Sequence, residues 1–148
     1  MPGTRLVVAA AILDDLTTPS WLLAARRSAP AALAGRWELP GGKVEADELP
    51  EAAVHREIAE ELGVGLVLGD VLTGPRAGDW PIDDRLTMRV WSAVLAAGEP
   101  APLADHDELR WLRRGRWGEL AWLPADVPIV AALEARYGST GGSGGRVT

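Results

Sequence analysis

Residues 41–64 read GGKVEADELPEAAVHREIAEELGV, and the reading of this stretch decides the fold. Pro50 suits a first helical turn and Gly63 a helix stop, so the spacing predicts a helix over 50–62. An α-helix turns about 100° per residue. With Glu57 as the reference direction, Glu60 and Glu61 fall to either side of it, each less than a quarter turn away. Val54, Ile58 and Leu62 cluster next to one another, on the side to which Glu61 leans. The three carboxylates share one face, beside an apolar stripe that can turn to a core. Like charges at this spacing destabilise a helix by a few tenths of a kcal/mol per pair. The glutamates also sit late in the helix, where the dipole disfavours anions. Two readings accommodate both penalties. One is a solvated acidic face. The other is a seat for a hard divalent cation such as Mg²⁺, which prefers carboxylate oxygens and brings substrate phosphates as further ligands. His55 points away from the acids and reads as a rim or core histidine rather than a ligand.

The rest of the chain bounds what that helix can serve. A length of 148 residues suits one domain, and 47% hydrophobic residues is enough to bury a core. No run of about eighteen apolar residues occurs, so no membrane span is expected. The start, MPGTRLVVAAAILDD, reads as a first strand rather than a secretory signal. With no cysteine there are no disulfides and no thiolate metal sites, which is compatible with a reducing cytoplasm, the expected location. A net charge of −6 argues against duplex nucleic acid as a partner. A small polyphosphate carried by metal ions stays admissible.

Strands are expected over 5–12 and 20–26, joined as a hairpin by the turn-forming LDDLTTP, and over 36–40, 66–74, 85–96 and 108–114. A second helix is expected over 125–138, with Asp126 as its N-cap. The Gly/Ser-rich end, 138–148, reads as a disordered tail and leaves 1–137 as the domain. Irregularly mixed strands and helices indicate an α+β fold.

The opening stretch resembles the Nudix signature, G-x5-E-x7-R-E-U-x-E-E-x-G-U with U apolar. Gly42, Glu48, Arg56, Glu57, Ile58, Glu60, Glu61, Gly63 and Val64 fill every specified position. Seven identities at fixed spacing, each residue near 7% in background, arise by chance at roughly 10⁻⁸ per start position. The chain is therefore identified as resembling the Nudix hydrolases, and within them the MutT-like branch, which RWELPGGKVE and LPADVPIV also resemble. The resemblance implies a mixed β-sheet sandwiched between α-helices. It implies Mg²⁺-dependent (Mn²⁺ in some members) cleavage of a nucleoside triphosphate to monophosphate and pyrophosphate.

Carried over by position, the resemblance makes Glu57, Glu60 and Glu61 metal ligands together with the Gly41 carbonyl. Glu48 would stand beside the metals, and Arg56 would hold Glu57. Arg27 and Lys43 would contact phosphates. The base would meet Leu39 and Asp126, with Trp80, Met88 and Trp122 as further stacking candidates. An ionised Asp126 only accepts hydrogen bonds, which suits the N4 amino group of cytosine or the N1–H and N2–H₂ edge of guanine. Both 8-oxo-dGTP and CTP or dCTP therefore stay open. The general base would be a helix carboxylate or one of Asp105, Asp107 and Glu108. Leu49 stands where the family often has Ser or Thr, so the helix cap passes to Asp47 or goes unmade. Two other readings stand beside this one: a Nudix hydrolase of ADP-ribose, NADH or a dinucleoside polyphosphate, and a non-catalytic nucleotide-binding module. Monomer and homodimer are equally compatible with the sequence.

Overall fold

The structure, a computed structural model, describes residues 5–138. Of the tail expected over 138–148, Gly138 belongs to the last turn of the fold and the remainder lies outside the described residues. Among the described residues eight strands occur in chain order: β1 (Arg5–Ile12), β2 (Trp21–Arg27), β3 (Trp37–Glu38), β4 (Gly41–Lys43), β5 (Gly65–Leu72), β6 (Trp80–Pro81), β7 (Leu86–Ala97) and β8 (His106–Arg113). Helix α1 spans Pro50–Leu62 between β4 and β5, and α2 spans Val127–Leu133 near the end. One sheet runs β4-β1-β7-β5 with β6 beside β7, and the other runs β3-β2-β8. β1 and β7 are parallel and their other neighbours antiparallel, so the larger sheet is mixed, as expected. Among the described residues no helix is long and apolar enough to cross a membrane.

β1 explains the layering. Its even residues Val8, Ala10 and Ile12 pack with Val54, Ile58 and Leu62 of α1. Its odd residues Ala9 and Ala11, with Leu13 just beyond, pack with Leu22, Trp117, Ile129 and Leu133 on the α2 side. A strand buried on both faces must be apolar throughout, which is why VVAAAIL shows so little polar alternation.

The expected hairpin of the first two strands does not form. The link has the anticipated turn chemistry: Asp14 Oδ1 accepts from Ser20 N (2.8 Å) and Trp21 N (2.9 Å). β1, however, has β4 on one edge and β7 on the other. Only the Leu13–Leu22 bridge joins the two segments before β2 departs into the second sheet. The expected strand at 36–40 shortens to Trp37–Glu38, and the glycines after Pro40 form β4 instead of a break. The second helix is α-helical only to Leu133 and ends in a wider π turn, Glu134–Gly138. Asp126 precedes α2 but makes no side-chain cap. At α1 the N-cap is Leu49, also without a side-chain bond, so Asp47 does not take over the role.

Candidate active site

The loop from β4 into α1 brings the acidic face against the glycines that precede it. The helix ends at Gly63 in the left-handed region (φ 72°), a conformation glycine adopts without strain. The directions read from sequence become a gradient of burial. Glu60, turned away from the apolar stripe, is 58% exposed, Glu57 is 15% exposed, and Glu61, turned toward the stripe, is buried. Gly42 lies so close to Glu57 that a Cβ there would overlap its carboxylate. His55, beyond the far edge of the stripe, is exposed and belongs to neither core nor site.

Arg56 is the hub of the outer half. Its Nε donates to Glu48 Oε2 (2.7 Å) and its Nη2 to Glu48 Oε1 (3.0 Å). Nη1 reaches Glu57 Oε2 (3.0 Å) and Glu60 Oε1 (3.3 Å), and Nη2 also donates to the Lys43 carbonyl (3.1 Å). The hydrogen bonds from Arg56, joined by the Glu45 N–H, hold the Glu48 carboxyl down at about 2. Glu57 is pushed upward by burial, which outweighs the same guanidinium.

The three helix glutamates do not converge on one point. Glu57 and Glu60 turn to Arg56, the cation at hand. Glu61 turns inward, where its carboxylate, Glu38 and His106 bring ligand-type atoms within 4.8 Å of one another. Glu61 Oε1 accepts from Gly41 N (3.1 Å), yet burial pushes its carboxyl up to about 7. His106 Nε2 lies 2.7 Å from Glu38 Oε2. Burial works against its charged form, but Glu38 and Glu61 outweigh burial and raise its proton affinity. Neither Glu38 nor His106 was singled out from sequence. Glu38 sits inside RWELP next to Leu39, and His106 sits among the three loop acids. The available signal was a lone imidazole in an acidic run, which alone says little.

Beside this group lies a cavity of about 320 Å³, lined among others by Arg27, Glu38, Leu39, Lys43, Met88 and Asp126. It gathers both expected phosphate contacts and both expected base contacts. Arg27 is anchored, its Nη1 donating to Glu38 Oε2 (3.2 Å) and its Nη2 to the Ala29 carbonyl. Asp126 is buried; its Oδ2 accepts from Leu39 N (2.9 Å), and burial pushes its carboxyl up to about 7. Trp80 and Trp122 are core instead, with indole N–H groups donating to the carbonyls of Leu72 and Trp117. Among the loop acids, Asp107 and Glu108 are held by Arg26 (2.8 and 3.2 Å), whereas Asp105 faces Arg27 at 3.9 Å.

Residues 3–133 match the family model for the NUDIX domain. The chain belongs to the Nudix family. It is 42% identical over 130 residues, 87% of each chain, to a Mycobacterium tuberculosis protein under the provisional name 8-oxo-dGTP diphosphatase 2. It is 32% identical over 130 residues to the CTP pyrophosphohydrolase of Escherichia coli, covering 87% of this chain and 90% of that one. Among solved structures, the E. coli ORF135 protein superposes with a TM-score of 0.71 at 29% identity, over 90% of this chain and 91% of that one. This Nudix hydrolase thus carries the signature acids Glu57, Glu60 and Glu61 on α1 and Glu48 just before it, with the cavity beside β4.

Proposed function

We propose that this Nudix hydrolase is a Mg²⁺-dependent nucleoside triphosphate pyrophosphohydrolase that acts on 8-oxo-dGTP and on CTP or dCTP and so cleanses the nucleotide pool. The observation that carries the reading is the continuity of the cavity. Its lining includes Leu39, Met88 and buried Asp126, an apolar slab with one polar group, as a base site requires. The same lining includes Arg27, Lys43 and the glycine pair Gly41 and Gly42, of which Gly41 N donates to Glu61 on the acidic helix.

The donor set fits a hard divalent cation: the carboxylates are acceptors only, and both Glu57 and Glu61 are raised by burial without a cation sufficient to offset it. Glu57, Glu60, Glu61 and the Gly41 carbonyl would hold the metal, which supplies charge neutralisation and Lewis acidity toward phosphoryl oxygens. The chain's own groups do the rest. Arg56 fixes Glu57 and Glu48 in place. Arg27, oriented by Glu38, presents a planar fork that suits bidentate phosphate contact, and Lys43 adds a mobile point charge. Asp105 is the loop acid best placed to accept a proton at the phosphate end, because Arg26 occupies the other two.

Two measurements test this. With either triphosphate the products are the monophosphate and pyrophosphate, and ¹⁸O from labelled water enters the pyrophosphate, as attack at the β-phosphorus requires. Release of orthophosphate, or turnover of ADP-ribose in preference to every triphosphate, rejects the reading. Second, Arg56→Gln raises the Mg²⁺ concentration for half-maximal turnover by about 10–100-fold, the usual cost of freeing a ligand from its supporting partner. An unchanged Mg²⁺ dependence would mean that Arg56 does not orient the ligands.

A further inference from the structure

β2 and β8 run antiparallel with Arg26 opposite Glu108 and Arg27 opposite His106, so a bulge leaves Asp107 without a register partner. Bulges beside a site re-aim side chains. Here Asp107 goes to Arg26, whose Nε donates to its Oδ1 (2.8 Å), and His106 is set opposite Arg27. The loop before β8 is pinned at two points. Leu103 N–H donates to the Glu61 carbonyl near the end of α1 (2.9 Å), and Ser28 N–H donates to the Asp105 carbonyl (2.7 Å). The His106 side chain is fully buried, so it cannot touch a ligand itself. Its Nε2 donates to Glu38 Oε2 (2.7 Å), the same oxygen that accepts from Arg27 Nη1 (3.2 Å). A carboxylate paired with a guanidinium only accepts, which assigns the proton to Nε2. With two donors on one oxygen, Glu38 is not a free cation ligand. Among the described residues two buried side-chain polar atoms lack a hydrogen-bond partner, His106 Nδ1 and Arg27 Nε. Unmade hydrogen bonds inside a protein cost stability, so stability alone does not account for this pair.

Resting on the nucleotide reading above, we propose that His106 is a positioning residue for phosphate binding: by fixing Glu38, it holds the Arg27 guanidinium in the orientation that meets the triphosphate. Arg27 and Glu38 line the cavity, and His106 acts through them. Arg27 has one further anchor, the Ala29 carbonyl on Nη2. Glu38 has rotatable bonds of its own, and paired with Arg27 alone the two side chains would swing together. The buried imidazole, set by β8, removes that freedom before the ligand arrives, and preorganised donors bind at a lower entropic cost. The contact serves the phosphates already in the ground state, so its loss is read in binding rather than in the chemical step.

The test compares two amides of different reach. Glutamine can set its amide nitrogen where Nε2 stands, whereas asparagine stops short of Glu38. His106→Asn raises KM for dCTP and for 8-oxo-dGTP alike by about tenfold, with kcat within about threefold and the Mg²⁺ dependence unchanged, and His106→Gln restores KM. In an Arg27→Gln background, adding His106→Asn changes KM by less than about twofold, because the group it positions is gone. Loss of kcat and KM together without rescue by glutamine, or effects of the two substitutions that multiply, overturns the proposal. A second measurement needs no substitution at His106. The chain has two histidines and the other, His55, is exposed, so the buried Nε2–H gives a slowly exchanging downfield proton resonance of its own. Inorganic pyrophosphate shifts that resonance in the wild type and not in Arg27→Gln. A resonance that ignores pyrophosphate, or that shifts equally in Arg27→Gln, sinks the proposal even where the asparagine variant fails to fold. If no triphosphate is hydrolysed, it is the enzymatic reading that falls, and the pyrophosphate response still decides whether His106 acts through Arg27.

Discussion

Glu57→Gln lowers Mg²⁺-dependent kcat/KM by about 10³-fold, equivalent to roughly 4 kcal/mol of transition-state stabilisation. The substitution is nearly isosteric. A glutamine oxygen can still accept from Arg56 Nη1, as Glu57 Oε2 does now at 3.0 Å, and the apolar stripe of Val54, Ile58 and Leu62 stays on the core. What disappears is one negative charge at the point where Gly42 leaves no room for a Cβ. On the proposed reading a divalent ion would lose one of its carboxylate ligands there, with Glu60 turned outward and Glu61 inward. Folding responds in the opposite direction. Removing one of three like charges spaced i,i+3 and i,i+4 relieves a few tenths of a kcal/mol per pair, so the variant melts no lower than wild type. Steady-state turnover with Mg²⁺ varied, beside a thermal melt, reads both effects. Activity within about tenfold of wild type would remove Glu57 from the metal set.

The helix was the most legible part of this chain because its information is local. A fixed turn per residue places Glu61 nearer the apolar stripe than Glu60, and the structure makes the first buried and the second exposed. Pro50 and Gly63 mark its ends as their backbone preferences require. The strands were legible as segments but not as partners. Asp14 does build a turn after β1, but local turn chemistry cannot say that β4 and β7 have claimed both edges of that strand. The inner half of the site was hidden for the same reason. Glu38 and His106 lie 68 residues apart and meet only because β2 lies between β3 and β8. Asp126 illustrates the limit differently. Its position before α2 made a helix cap reasonable, and only the fold shows the carboxyl turned to the backbone of Leu39. The seven tryptophans look alike in sequence. Their separation into core and surface depends on which side of a sheet each strand tryptophan faces and, for Trp117 and Trp122, on the chain packing into the core on the α2 side.

Trp117→Ala costs about 3–5 kcal/mol of folding stability, a large share of the roughly 5–15 kcal/mol typical of a whole domain. Trp117 opens the short 3₁₀ turn Trp117–Glu119 and is fully buried among Leu22, Leu112, Ile129 and Leu133. Its indole N–H donates to the Leu112 carbonyl at 2.9 Å, and its own carbonyl accepts from the Trp122 indole at 2.8 Å. Truncation therefore opens a cavity that packed neighbours cannot fill and leaves a β8 carbonyl without that donor. Trp111, on β8 and 37% exposed, provides the control: its change to alanine costs no more than about 1 kcal/mol. Urea unfolding reads both, as a fall in midpoint at unchanged slope. If Trp117→Ala loses less than about 1 kcal/mol, the core on the α2 side is not what holds the two layers together. The expected damage also reaches the site. Ile129 and Val130 seat the start of α2 in that same core, so loosening it frees Asp126 from Leu39. Well below its melting temperature the variant should raise KM for nucleotide more than it lowers kcat, because the acids of α1 rest on the opposite face of β1.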